Sequence, residues 1–176
     1  HEVELAGEPL VVSVVGVDHG VLSGLQLVRL PDDPPPEGDP QGFNLDAGAQ
    51  LGEPPPSYGA AAGQAGYWMP LSFAIENPVK LVGLDGVVSG VTLTANLPYG
   101  PAFNEHPGPR GDDAKLLEDY LDLQSTPGSL ELRGVPPGDY LVYTYAWAPD
   151  DARYLTFVTI GEESQTIGGE WPGALT

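Results

Sequence analysis

There is no cysteine in the chain, so disulfides and thiolate metal sites are excluded. Basic residues are scarce: 6 Lys and Arg stand against 25 Asp and Glu, for a formal charge of −19. A surface this negative repels phosphate backbones and anionic lipid, which argues against nucleic acid as a partner and against attachment to an acidic membrane. No run approaches the roughly 20 apolar residues of a membrane-spanning helix, so membrane insertion is not expected. The enzyme signatures are missing too. There is no G-x-S-x-G elbow, no H-E-x-x-H pair and no phosphate-cradling glycine loop. The expectation is a protein without catalytic function and without a cofactor.

Glycine and proline are abundant, at 24 and 20 residues, while hydrophobic residues make up 41%. The apolar fraction suffices for a core, and the Gly and Pro content disfavours long helices. Short strands joined by tight turns are expected, in one domain of ordinary size.

Alternation of polar and apolar residues marks strands at Glu2–Leu5, at 71–75, at Val91/Leu93/Ala95/Leu97 with Thr92 and Thr94 opposite, and at Leu130/Leu132. Leu10–Val15 is apolar on both faces, as suits a strand inside a sandwich. A turn at Asp18-His19-Gly20 and a returning segment at 25–30 predict a hairpin. The run 31–40 has five prolines and four acids. It predicts a stiff spacer, roughly 30 Å long at about 3.1 Å per residue. Residues 47–66, rich in Gly, Ala and Pro, predict an ordered surface loop. Asp112 or Asp113 caps a predicted helix over 113–123, with Leu116, Leu117, Tyr120 and Leu121 on one face. Pro136-Pro137-Gly138-Asp139 then turns into 140–148, the most hydrophobic strand, and a further turn at 149–151 leads to 154–160.

Two segments carry a resemblance. One is Asn44-Leu-Asp-Ala-Gly followed by Tyr58-Gly-Ala-Ala-Ala-Gly-Gln-Ala-Gly-Tyr-Trp68. The other is Leu132-Arg-Gly-Val-Pro-Pro-Gly-Asp-Tyr-Leu-Val-Tyr-Thr-Tyr-Ala-Trp-Ala-Pro149, continuing to Ile167-Gly-Gly-Glu-Trp-Pro-Gly173. Over 41–176 the chain resembles a malectin-like, galactose-binding-like jelly-roll domain of secreted bacterial surface proteins. The resemblance implies an extracellular or cell-surface location, and a fold that hosts both sugar binders and inert modules. It also implies two closing strands after Trp171-Pro172-Gly173, ending in a run like Ser23-Gly-Leu-Gln-Leu-Val28. Those closing strands resemble the first thirty residues of this chain.

From this follows an all-β jelly-roll sandwich of three parts: a hairpin 1–30, a linker 31–40 and a body 41–176. A hairpin has no core of its own, and a body without its last strands exposes an apolar edge. With a stiff spacer between them, the expectation is head-to-tail completion. Val3, Leu5, Leu10, Val12, Val14, Leu25 and Leu27 would pack into a neighbouring copy, and the chain would be a structural subunit or repeat unit of an extracellular filament or surface assembly. The alternative is a carbohydrate-binding module of a secreted protein. Sugar contact would then fall to the loop-borne aromatics Tyr67, Trp68 and Trp171, with Trp147 packed inside. Calcium is conceivable at Asp32, Asp33, Glu37 and Asp39, although no twelve-residue calcium loop is present and a proline-spaced acidic run is most simply solvated. A copper site built on His1 would need a second histidine. Only His19, in a turn, and His106, in a Pro/Gly loop, are available.

Overall fold

The computed structural model describes residues 1–30, 40–48, 52–71, 78–97, 100–104, 108–148 and 151–175. The acidic proline run, His106 and the apolar positions Phe73 and Ile75 lie outside the described residues, as do all but the last residue of the expected linker.

The chain is an all-β sandwich with one short helix. In order, the strands are β1 (Glu2–Leu5), β2 (Leu10–Val17), β3 (Gly20–Leu22), β4 (Gly24–Arg29), β5 (Gly42–Ala47), β6 (Trp68–Leu71), β7 (Val79–Val82), β8 (Val88–Asn96), β9 (Pro101–Phe103), β10 (Asp119–Gln124), β11 (Pro127–Arg133), β12 (Gly138–Tyr145), β13 (Leu155–Ile160) and β14 (Glu163–Gly168). The helix α1 spans Asp112–Leu117, between β9 and β10. One sheet runs β1-β12-β4-β5-β6 and the other β14-β13-β2-β11-β8-β7, while a small sheet β3-β10-β9 stands beside them.

The alternating segments behave as their pattern demands. On β8, Val91, Leu93 and Ala95 are buried, and the threonines between them are half-buried. Leu130 and Leu132 on β11 face inward in the same way. These side chains meet Leu10, Val12 and Val14 of β2, Leu25 and Leu27 of β4, Phe43 and Leu45 of β5, and Tyr140 and Val142 of β12 in one core.

The first thirty residues differ from their expectation in two ways. They are not a hairpin, because β2 and β4 do not pair. β2 lies between β11 and β13, whereas β4 lies between β12 and β5, in the opposite sheet. The chain passes between sheets through β3, whose first residue, Gly20, packs on Gly16 of β2; a Cβ on Gly16 would stand 1.9 Å from the Gln124 carbonyl oxygen and 3.0 Å from the Gly20 Cα. Two consecutive apolar strands need not pair when each has a better partner and both can share the core between them.

Nor is this segment separate from its own body. Leu5, Leu10, Val12, Val14, Leu25 and Leu27 are buried in the core of their own chain, and Val3 packs against it. At about 1.5–3 kcal/mol each, the six buried side chains contribute about 9–18 kcal/mol gross. The sandwich is closed within one chain, so the division into hairpin and body is not the one the fold makes.

The helix is also shorter than its pattern predicts. It ends at Leu117, and 119–124 form a strand instead. Asp119, Leu121 and Leu123 are buried alternately there, and β10 pairs with β3 and β9. Leu116, Leu117, Tyr120 and Leu121 fit a helical face, whereas Asp119, Leu121 and Leu123 fit the alternation of a strand, and the available partner strands decide between them. Gly111 precedes the helix without a side-chain cap. Asp113 is engaged elsewhere, accepting the Tyr58 hydroxyl.

Candidate functional site

The outer face of the β1–β6 sheet carries a second apolar cluster, formed by Trp68, Leu116, Leu117, Tyr145 and Trp147 with Tyr58, Tyr143 and Trp171 against it. Strand register sets this face. Tyr143 is opposite Gln26, Gln26 is opposite Asn44, and Asn44 is opposite Trp68, giving a row across four strands. The middle of the row is polar and buried. Gln26 Nε2 donates to Asn44 Oδ1 at 2.8 Å, Gln64 Nε2 donates to the same oxygen at 2.9 Å, and the Tyr145 hydroxyl donates to Gln26 Oε1. Asn44 Nδ2 donates to the Gln64 carbonyl at 3.2 Å. Gln64 thereby pins the loop 52–66 onto the sheet, which gives physical content to the expected ordered loop. A Cβ on Gly42 would lie 2.6 Å from Gln64 Oε1, so this position has little room for a side chain.

Beside this row lies a cleft of about 330 Å³, walled by Tyr143, Tyr145, Trp147, Trp171 and Leu175, with Glu170 at its margin. The rings of Trp147 and Trp171 are 4.9 Å apart and inclined at 48°. Trp147 Nε1 donates to the Gly169 carbonyl at 2.9 Å, fixing the C-terminal segment over the strand. Burial pushes the Tyr145 phenol upward, and burial followed by Asp113 does the same to Tyr58. Both stay neutral hydroxyl donors at physiological pH.

Of the sequence candidates, Trp171 lines this cleft and is half-buried. Trp68 does not line it. It is 1% exposed, on β6 rather than in a loop, and its Nε1 donates to the Tyr58 carbonyl at 3.0 Å. Tyr67 is 37% exposed and is not part of the cleft either. Trp147, expected to be packed inside, is 7% exposed yet supplies part of the wall. The signal for it was in the sequence: Tyr143, Tyr145 and Trp147 follow at intervals of two, and therefore share one face.

The two described histidines, His1 and His19, have separate surroundings. The ring of His1 is buried with Nδ1 3.6 Å from Glu163, and its amine donates to the Val142 carbonyl at 3.0 Å. His19 is solvent-facing beside Asp122, at 3.7 Å.

A scan of family models, a search of curated proteins and a search of solved structures each return no match. None of them identifies a malectin-like or galactose-binding-like domain in this chain. No helix among the described residues is long and apolar enough to cross a membrane.

Proposed function

We propose that the chain is a non-catalytic carbohydrate-binding module of a secreted or cell-surface protein, with the aromatic cleft between β12 and residues 169–175 as its sugar site. The observation that carries this reading is the Trp147–Trp171 ring pair in the wall of a cleft. Aromatic rings offer flat apolar area to the C–H faces of a pyranose, and polar groups at the margin orient its hydroxyls. Tyr143, Thr144 and Glu170 supply such groups here. The charge of −19 favours neutral or amino sugars over uronic or sulfated ones. A glycan array followed by affinity electrophoresis tests the proposal. Binding to a neutral or amino glycan that is lost in Trp171→Ala supports it, and an array without any binding removes it.

The second reading is a structural subunit of an extracellular assembly. Its support is β14, a six-residue strand that among the described residues lies at a sheet edge, pairs only with β13 and has five of its six residues exposed. Such an edge can accept another strand, including one from a second copy. Sedimentation across a dilution series separates the readings. A binding module remains one size, whereas an assembling subunit shifts with concentration.

A further inference from the structure

The cleft between β12 and residues 169–175 is electrostatically one-sided. The rings of Tyr143, Tyr145, Trp147 and Trp171 line it, and Glu170, exposed at the margin, is the one charged side chain among the described residues of its wall. No Lys, Arg or His contributes to that lining. An aromatic ring carries negative charge on its face and positive charge at its edge. Part of the positive edge is already engaged within the protein. Trp147 Nε1 donates to the Gly169 carbonyl at 2.9 Å, and the Tyr145 hydroxyl donates to Gln26 Oε1. Ring faces and a carboxylate remain, a combination that attracts cations. The charge of −19 on the whole chain adds a field of the same sign.

Among sugar substituents, a protonated amine at C2 matches this wall best. It brings positive charge for the ring faces and N–H donors for the Glu170 carboxylate. An acetamide in its place loses the charge and adds a carbonyl acceptor, which a wall with two of its donors engaged serves poorly. A hydroxyl keeps a donor but carries no charge. We propose that the ligand of the cleft is an amino sugar bound in its ammonium form, with the cation against the aromatic wall and Glu170 as its counter-ion. This inference rests on the cleft being a sugar site, and it goes further by separating protonated amino sugars from N-acetylated and neutral ones.

The test uses the full chain and β-1,4-linked tetrasaccharides, in the gluco and galacto series, that differ only at C2: free amine, acetamide or hydroxyl. Binding is measured by calorimetry at mildly acidic pH, where the sugar amine is protonated, in low and in high salt. The free amine should bind about tenfold more tightly than the other two forms, through cation–ring attraction and a partly exposed ion pair, and this advantage should shrink as salt is raised. Glu170→Gln should narrow the preference to about threefold or less and flatten its salt dependence. An acetamide or hydroxyl form that binds as tightly as the amine overturns the inference and leaves the sugar site standing. So does a neutral glycan that binds on the array while no free amine binds. A preference for the amine that is unchanged in Glu170→Gln overturns it as well, since the counter-ion would then lie elsewhere. The absence of binding to any glycan removes the sugar site itself. If Glu170→Gln does not fold, the comparison of the three forms on the wild type decides alone.

Discussion

The hydroxyl of Tyr145 donates to Gln26 Oε1 across the outer face of the sheet, joining the strand that carries the aromatic cleft to a strand from the first thirty residues. The N-terminal segment is thus part of the scaffold under the cleft. Gln26→Leu would leave the Tyr145 hydroxyl and Asn44 Oδ1 each one partner short in a buried site. A loss of about 2–4 kcal/mol is expected, at roughly 1–3 kcal/mol per buried group left unsatisfied. Urea denaturation with an unchanged m-value would measure it.

Removal of residues 1–30 takes away β2, a central strand, and β4, another. The remaining chain should show neither dispersed NMR amide signals nor a cooperative thermal transition. A well-folded product would mean that the core of 41–176 is self-sufficient.

Trp171 and Trp147 should separate by stability. Trp171→Ala removes a half-buried wall residue and should leave Tm nearly unchanged while weakening sugar binding at least about tenfold, the equivalent of about 1.4 kcal/mol. Trp147→Ala also removes a nearly buried ring and its bond to Gly169, so a destabilisation of about 3–5 kcal/mol should accompany the loss of binding. Fluorescence titration and denaturant melts of the two variants, side by side, check both expectations.

Gly16 has no space for a methyl group, because Gln124 O would stand 1.9 Å from it and the Gly20 Cα 3.0 Å. Both neighbours are backbone and cannot swing aside. Gly16→Ala should cost about 3 kcal/mol or more, at the upper end of overpacking effects. A drop in Tm of only a degree or two would show that the crossing at β3 is looser than its geometry.

Burial, then Asp119 and Glu53, push the Asp46 carboxyl from its usual 3.8 to about 8. The folded state therefore holds a proton that the unfolded state releases above about pH 4. Stability should fall as pH rises from there toward 8, by at most about 1.4 kcal/mol per unit, and level off beyond. Asp46→Asn should flatten this slope. Thermal melts across that range, on both proteins, make the comparison.

Much of the fold was legible in the residue pattern. Val91, Leu93, Ala95, Leu130 and Leu132 announce strands with one face inward, and each occupies that face. The Pro136-Pro137-Gly138-Asp139 turn leads into β12 as its composition demands. Of the site, Trp171 was legible as an aromatic beside a loop. Trp68 was misplaced because a Gly/Ala-rich approach looks like a loop, although the ring at its end is covered by that loop and paired on β6.

What the sequence determined by itself was the class: all-β, acidic, free of disulfides, and rich in tight turns. Those follow from composition and from period, which are properties of neighbouring residues. Only the tertiary structure decided that β2 and β4 join opposite sheets, that 119–124 extend instead of coiling, and that Asp46 meets Asp119. Periodicity reports which side of the chain is buried, but not against what. Partner choice belongs to segments that are remote in sequence, where the closing of a common core, not local preference, sets the free energy.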